Sequence, residues 1–185
     1  YYEGPFYRAP FYPLLLGLVY WVFGDGPWAI RVIQLLLGAL SAVLIYLVAF
    51  EVFGRTTARV AWGIAVLYGT LIFYDAQLLD PPVFIFLVMM GLWALLRLFR
   101  DESAIVWPVV CGLSLGLAAI TRPNILLFLA VVLIWLVLRW VHYRSAYRRR
   151  AVVLWVLAIA LPILPITIYN TIQAGEPVLI GAYGG

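Results

Sequence analysis

The stretch FYDAQLLDPP, residues 73–82, separates two long apolar runs and carries two aspartates, Asp75 and Asp80. VAWGIAVLYGTLI precedes it at residues 60–72, and VFIFLVMMGLWALL follows it at residues 83–96. Together with their neighbours, both runs approach the roughly 20 apolar residues that a transmembrane helix needs. Pro81 and Pro82 favour a helix start directly after Asp80. The stretch is therefore predicted to be a polar link between two membrane-spanning helices.

The whole chain repeats this pattern of apolar runs and short polar links. Hydrophobic residues make up 66% of the 185 residues and charged residues 11%, against about 25% charged residues in a typical soluble domain. The composition predicts an all-α polytopic membrane helical bundle with about six transmembrane helices. The predicted spans are 28–53, 56–74, 81–99, 104–121, 123–141 and 151–172.

The remaining segments complete a predicted division into three parts. Residues 1–26 are predicted to form an external loop and a short interfacial or re-entrant helix, over about 10–24. Residues 27–172 form the transmembrane bundle, and 173–185 begin an external segment or domain. Gly112 and Gly116 form a GxxxG pattern that favours close helix packing, and Pro162 and Pro165 are expected to kink the last span. We expect an internal part of a longer protein, because the chain opens at Tyr1 without Met.

The arginines predict the orientation of the bundle. All twelve basic residues are arginine, and nine of them fall in three alternate links, at residues 55–59, 97–100 and 139–150. The positive-inside rule places these links in the cytoplasm, and topology explains this charge better than nucleic-acid binding. The stretch 73–82, the ITRPN link at 120–124 and both ends of the chain then lie outside.

Asp80 and Asp75 allow structural and functional interpretations. Asp80 precedes Pro81, so its carboxylate is suited to cap the next helix, although a capping carboxylate keeps a spare oxygen. Asp75 suits a solvated interfacial position. On one continuous helix the two residues would point about 140° apart, so we do not predict a paired acid and base.

The arginines of the outer side are candidates for binding phosphate, because guanidinium pairs with phosphate oxygens in a bidentate manner. Arg122 stands between two apolar runs, where it is either a turn residue or a phosphate ligand. Arg8 and Arg31 are further candidates, and the aromatic, proline-rich opening segment can line a cavity for an amphipathic ligand.

Four segments together resemble the bacterial GT-C glycosyltransferases, especially the protein-mannosyltransferase and aminoarabinose-transferase-like group. They are EGPFYRAPFYPLLLGLVYWVFG at 3–24, WAIRVIQLLLGALSAVLIYLVAFEVFGRTTARVAW at 28–62, LIFYDAQLLDPPVFIFL at 71–87 and GLSLGLAAITRPNILL at 112–127. The resemblance implies an enzyme of the bacterial cytoplasmic membrane that moves a sugar from a polyprenyl-phosphate donor to a glycan, lipid or protein acceptor outside the cytoplasm. It implies membrane lipid and lipid-linked sugar as partners and no nucleic acid, and it implies no certain cofactor and no metal site.

The resemblance also implies roles for particular residues. The catalytic aspartate of the family lies in a first external loop that would precede Tyr1, so we expect this fragment alone to be inactive. Asp80 matches a second external-loop acid, and Glu3 is the acid nearest the missing aspartate; both are catalytic candidates. Arg122 matches a basic position that would bind the departing phosphate, and inversion at the sugar is implied for a single displacement. The candidate substrate-binding residues are Arg122, Arg8, Arg31, Asp75, Tyr7 and Asn124.

Two other classes of protein remain open from the sequence. A transporter or lipid flippase would place ionisable groups near the bilayer midplane on broken helices, and Pro162 and Pro165 favour this alternative. A membrane scaffold without catalysis would leave the acids and arginines of the outer side without a role. An external cavity that gathers Asp80, Arg122 and the N-terminal segment would distinguish the transferase from both.

Overall fold

In the computed structural model, the described residues are 6, 9–24, 26–101, 103–143 and 145–181, and they form helices without strands. The helices are α1 Phe11–Phe23, α2 Pro27–Phe53, α3 Arg55–Leu67, α4 Gly69–Ala76, α5 Pro81–Arg100, α6 Val106–Ala119, α7 Leu126–Tyr143 and α8 Ala146–Ala174. A single 3-10 turn, Pro123–Ile125, precedes α7. The predicted all-α membrane helical bundle is confirmed.

Four helices are long and apolar enough to cross a membrane: α2, α5, the turn with α7, and α8. A fifth span results if α3 and α4 count as one, because they are bent by 51° at Tyr68. The predicted span 104–121 is the short helix α6, whose 14 residues extend about 21 Å against a hydrocarbon core of about 30 Å. The described residues therefore give four to five full spans, rather than six, with α1 and α6 as shorter apolar helices.

The chain direction gives the bundle two ends, which we name after the ends of α5: the Asp80 end and the Arg100 end. Gly54 joins α2 to α3 at the Arg100 end with a φ of 85°, a conformation that L side chains rarely adopt. At the same end Glu51 of α2 forms ion pairs with Arg97 and Arg100 of α5. The predicted inner links and these arginines thus lie at one end of the bundle.

The main core lies where α5, α6, α7 and α8 meet. Trp155 of α8 is buried there and donates its indole N–H to the sulfur of Cys111 at 3.3 Å, so Cys111 is a small buried core residue, as predicted. A Cβ on Gly112 would lie 2.6 Å from the carbonyl oxygen of Trp155, and one on Gly116 would lie 2.8 Å from Pro162. The GxxxG pattern therefore packs α6 closely against α8, as predicted.

Pro162 and Pro165 lie inside α8, which is continuous from Ala146 to Ala174. A kink of α8 at these prolines stays a prediction, and a span is broken at Tyr68, between α3 and α4. The outer faces of the bundle expose many large apolar side chains; Trp21 of α1, for example, is 84% exposed. Such a surface is suited to lipid rather than water, as the multi-pass membrane class requires.

Candidate functional site

An ion pair between Asp80 and Arg122 is the centre of the Asp80 end. Arg122 Nε lies 2.5 Å from Asp80 Oδ2, and Arg122 Nη2 lies 3.3 Å from Asp80 Oδ1. Two parallel bonds of this kind form a bidentate guanidinium–carboxylate pair. The two residues are 42 positions apart, so the fold brings the link before α5 against the link between α6 and α7. The predicted candidates Asp80 and Arg122 therefore meet.

The expected helix cap at Asp80 is wrong. Asp80 has α-helical backbone angles, φ −74° and ψ −19°, and its side chain makes no capping hydrogen bond. Pro81 and Pro82 occupy the first two helical positions and have no N–H, which removes two of the donors that a capping carboxylate could use. The carboxylate is instead turned toward Arg122.

Arg122 is held by the backbone of the α6–α7 link. Its own N–H donates to the carbonyl oxygen of Ala118 at 2.8 Å, and the neighbouring Thr121 hydroxyl donates to Leu117 at 2.8 Å. Arg122 has extended backbone angles, φ −142° and ψ 104°, and Pro123 follows as the first residue of the 3-10 turn. The pre-proline position disfavours helix, so the chain leaves α6 at Arg122 and directs its side chain to the neighbouring link.

The pair keeps part of its charge accessible. The hydrogen bond to Asp80 raises the pKa of Arg122, so the guanidinium is permanently charged. The exposed fraction of the side chain is 43% for Arg122 and 29% for Asp80. The guanidinium carbon lies 5.4 Å from the centre of the Phe84 ring, which supports the group on one side. A fixed, partly exposed guanidinium can bind an anion through the N–H groups that Asp80 leaves unused.

A buried glutamine fixes the chain just before Asp80. Gln34 of α2 is fully buried and donates its amide N–H to the Leu79 carbonyl oxygen at 2.6 Å and to the Tyr12 hydroxyl at 3.3 Å. Burial raises the pKa of Tyr12 to about 12, so its phenol is neutral. Gln34 thereby ties α1 and the link before α5 to α2. Sequence reasoning missed Gln34, although an amide within an apolar run was an available signal.

Asn170 of α8 is the second buried polar residue that sequence reasoning missed. Its Oδ1 accepts the Phe6 N–H at 2.8 Å, and its amide donates to the Ile180 carbonyl oxygen at 2.9 Å. Thr167 donates to the Leu179 carbonyl oxygen at 2.7 Å. The opening segment and the segment after α8 are therefore joined through one side chain at the Asp80 end.

The other predicted site residues that the structure describes do not join the ion pair. The Asp75 carboxylate packs against Gly38 of α2 and borders a separate cavity. Arg31 and Asn124 are exposed and form no hydrogen bond or ion pair within the described part of the chain. Glu3, Tyr7 and Arg8 lie outside the described residues.

No metal-binding group is found among the described residues: no three His, Cys, Asp or Glu side chains come together there. The site consists of one carboxylate, one guanidinium and their supporting helices. It can bind and neutralise an anion at the surface of an apolar bundle.

Comparison with known proteins supplies the class of the chain. No protein of curated function and no solved structure matches it. Residues 7–169 match the model of the family described as dolichyl-phosphate-mannose-protein mannosyltransferase, and this range includes all eight helices except the last residues of α8. The chain therefore belongs to the dolichyl-phosphate-mannose-protein mannosyltransferase family, membrane glycosyltransferases of the GT-C type that use lipid-linked sugar donors.

Proposed function

We propose that the chain is part of an inverting bacterial glycosyltransferase of the protein-mannosyltransferase and aminoarabinose-transferase-like group. It would take a sugar from a polyprenyl-phosphate donor and pass it to an acceptor outside the cytoplasmic membrane. The observation that carries the proposal is the Asp80–Arg122 pair, a partly exposed guanidinium at one end of an apolar bundle in a family that uses lipid-linked sugars.

Arg122 would bind the phosphate of the donor. As the bond between sugar and phosphate breaks, negative charge grows on the phosphate oxygens, and a fixed cation stabilises that state more than the ground state. A charge-assisted hydrogen bond contributes about 1.5–3 kcal/mol net, which corresponds to roughly ten- to 150-fold in rate. The apolar surface of the bundle allows the lipid chain to stay in the bilayer during transfer.

Asp80 would orient Arg122 for this task. Its two oxygens take one edge of the guanidinium, through Nε and Nη2, which leaves the N–H groups of Nη1 for the phosphate. The acceptor hydroxyl needs a general base, and the resemblance assigns this role to an aspartate of a first external loop. Glu3, Tyr7, Arg8, Arg31 and Asn124 stay predictions as further groups around the sugar.

The orientation of the site follows from charge. Arg139 and Arg148 lie beside Leu98 and Phe99 and so share the Arg100 end with Arg97 and Arg100. The positive-inside rule favours the cytoplasm for this end. The Asp80 end would then face the periplasm or the exterior.

The test is a transfer assay on the full-length protein in proteoliposomes. A polyprenyl-phosphate donor with a radiolabelled sugar is supplied together with extracted cell-envelope acceptors, and the label is followed into glycan, lipid and protein fractions. We expect label in one acceptor fraction and free polyprenyl phosphate as the second product. Intact donor that only crosses the bilayer would refute the transferase.

Transport of the intact donor is the result expected of a transporter or flippase. One structural observation favours that class. Broken helices are typical of transporters, and α3 and α4 form such a broken span. The prolines that favoured this class from the sequence lie within a continuous α8, so the argument now depends on the bend at Tyr68.

A further inference from the structure

A cavity of about 380 Å³ lies between α2, the bent pair α3–α4 and α5. We name it the α2–α5 cavity. Its lining is mostly apolar and includes Val43, Trp62, Leu71 and Ile85. Its volume falls in the range of roughly 300–1,000 Å³ that is typical of ligand sites. The Asp80–Arg122 pair does not line it.

The cavity borders the break in the α3–α4 span, with Val66 before the break and Leu71 after it in the lining. The chain is extended at Tyr68, with φ −74° and ψ 99°, and the two helices meet there at 51°. Non-helical backbone within a membrane span is tolerated where it lies inside protein or beside a cavity. The break displaces α4 from the line of α3 and leaves the apolar space against α2.

One carboxylate borders this apolar space. Asp75 lies so close to the α2 backbone that a Cβ on Gly38 would be 2.0 Å from its Oδ2. Within the described residues, the side chain of Asp75 has no hydrogen bond and no ion pair. Ser41, one turn further along α2, donates its hydroxyl hydrogen to Leu37 at 2.7 Å, so toward the cavity it offers only lone pairs. The Asp75 carboxylate and the Ser41 hydroxyl are therefore hydrogen-bond acceptors toward the cavity.

Two acceptors in an apolar cavity select the chemistry of the ligand. A carboxylate repels a phosphate and accepts a hydrogen bond from a hydroxyl group. Arg122 could balance the negative charge of a phosphate, but it faces Phe84 on α5. Pro82 and Ile85 of the same helix face the cavity. The cavity and the ion pair thus both adjoin the first turns of α5 without sharing a lining residue.

We propose that the α2–α5 cavity binds a lipid-like sugar acceptor, with its apolar chain in the cavity and its hydroxyl group donating a hydrogen bond to Asp75. This inference rests on the proposed function, in which the hydroxyl oxygen of the acceptor would attack the sugar and form the new glycosidic bond. It narrows the acceptor class from glycan, lipid or protein to an amphipathic alcohol, and it gives Asp75 a role distinct from that of Asp80.

The test measures binding without transfer. Full-length protein in neutral phosphatidylcholine nanodiscs is photolabelled with a long-chain alcohol that carries a diazirine, and a matched long-chain phosphate serves as the comparison probe. We expect saturable labelling of α2 and α4 by the alcohol and at least about tenfold weaker labelling by the phosphate. Equal labelling by both probes would overturn the proposal, because it would describe only a lipid-exposed face.

Three variants make the test specific. Asp75→Leu should weaken alcohol labelling about tenfold or more, because it removes the charged acceptor. Gly38→Ala keeps Asp75, but the new Cβ displaces the flexible Asp75 side chain. Because alanine favours helix over glycine, this variant should fold and still weaken labelling. Phe73→Leu, at an exposed α4 residue outside the cavity, is the matched control and should leave labelling unchanged. Unchanged labelling in Asp75→Leu and Gly38→Ala would overturn the assignment.

The outcomes separate this inference from the proposed function. Sugar transfer without specific alcohol labelling would refute the cavity as the acceptor site and leave the transferase intact. Specific labelling without any sugar transfer would support a hydroxyl-selective lipid site and refute its role as an acceptor site.

Discussion

Replacement of Arg122 by alanine should separate the stability of the protein from its proposed activity. The side chains of Arg122 and Asp80 are 43% and 29% exposed, so their pairing is largely screened by solvent. Exposed pairs contribute about 0.2–1 kcal/mol to stability. Arg122→Ala should therefore lower the free energy of unfolding by no more than about 1 kcal/mol.

The effect on sugar transfer should be larger. Loss of a charge-assisted bond to the departing phosphate costs about 1.5–3 kcal/mol of transition-state stabilisation, or roughly ten- to 150-fold in kcat/KM for the donor. Arg122→Lys keeps the charge but loses the two-pronged geometry, so its kcat/KM should lie between those of the alanine variant and wild type. Asp80→Asn should also lower kcat/KM, because it weakens the bond that orients the guanidinium.

The assay combines two measurements on the full-length protein. Transfer from a radiolabelled polyprenyl-phosphate sugar gives kcat and KM, and thermal unfolding in detergent gives stability. Arg149→Ala, an exposed arginine of α8 at the other end of the bundle, is the matched control and should change neither. Donor kcat/KM that stays at the wild-type value in a folded Arg122→Ala protein would refute the phosphate-binding role.

Three further substitutions test the packing and the buried polar groups. Gly112→Ala should destabilise the protein by about 1–3 kcal/mol in thermal unfolding, because its Cβ meets the α8 backbone, whereas Gly63→Ala in open space should be neutral or stabilising. Gln34→Leu should cost about 1–3 kcal/mol, since it leaves the Leu79 carbonyl without its donor; an unchanged unfolding temperature would contradict this. Asn170→Leu should raise the rate of hydrogen exchange and proteolysis in residues 176–181, because it removes the hydrogen bond to the Ile180 carbonyl oxygen. Unchanged protection there would contradict the role of Asn170 in holding this segment.

The membrane class and most helix bounds could be predicted because apolar length and arginine placement decide them. The predicted span 81–99 corresponds to α5, Pro81–Arg100, since Pro81 sets its start and charged residues its end. The bend at Tyr68 was not predicted, because no proline interrupts that apolar run, although Gly69, which directly follows the bend, was a weak signal. The sequence could predict that Asp80 and Arg122 lie on the same side of the membrane, but not that they contact each other directly.

The two buried amides show why the rest of the site could not be derived from the sequence. Gln34 and Asn170 are single polar residues within apolar runs, and such residues can face lipid headgroups, a neighbouring helix or a link. Only the folded chain reveals that Gln34 holds Leu79 and that Asn170 holds Phe6 and Ile180. The capping interpretation of Asp80 is wrong because helix-start preference ignores a distant partner such as Arg122.

Ion pairs and a hydrogen bond join α2 to α5 and its preceding link, and they bear on which wall of the α2–α5 cavity can move. Near the Arg100 end the two helices are joined by Glu51 with Arg97 and Arg100, and near the Asp80 end Gln34 holds the residue that precedes Asp80. The eight-residue α4 has no buried residue and follows a bend without an intact helix across it. We therefore expect any widening of the α2–α5 cavity to involve α4, the wall that carries Asp75, rather than a separation of α2 from α5.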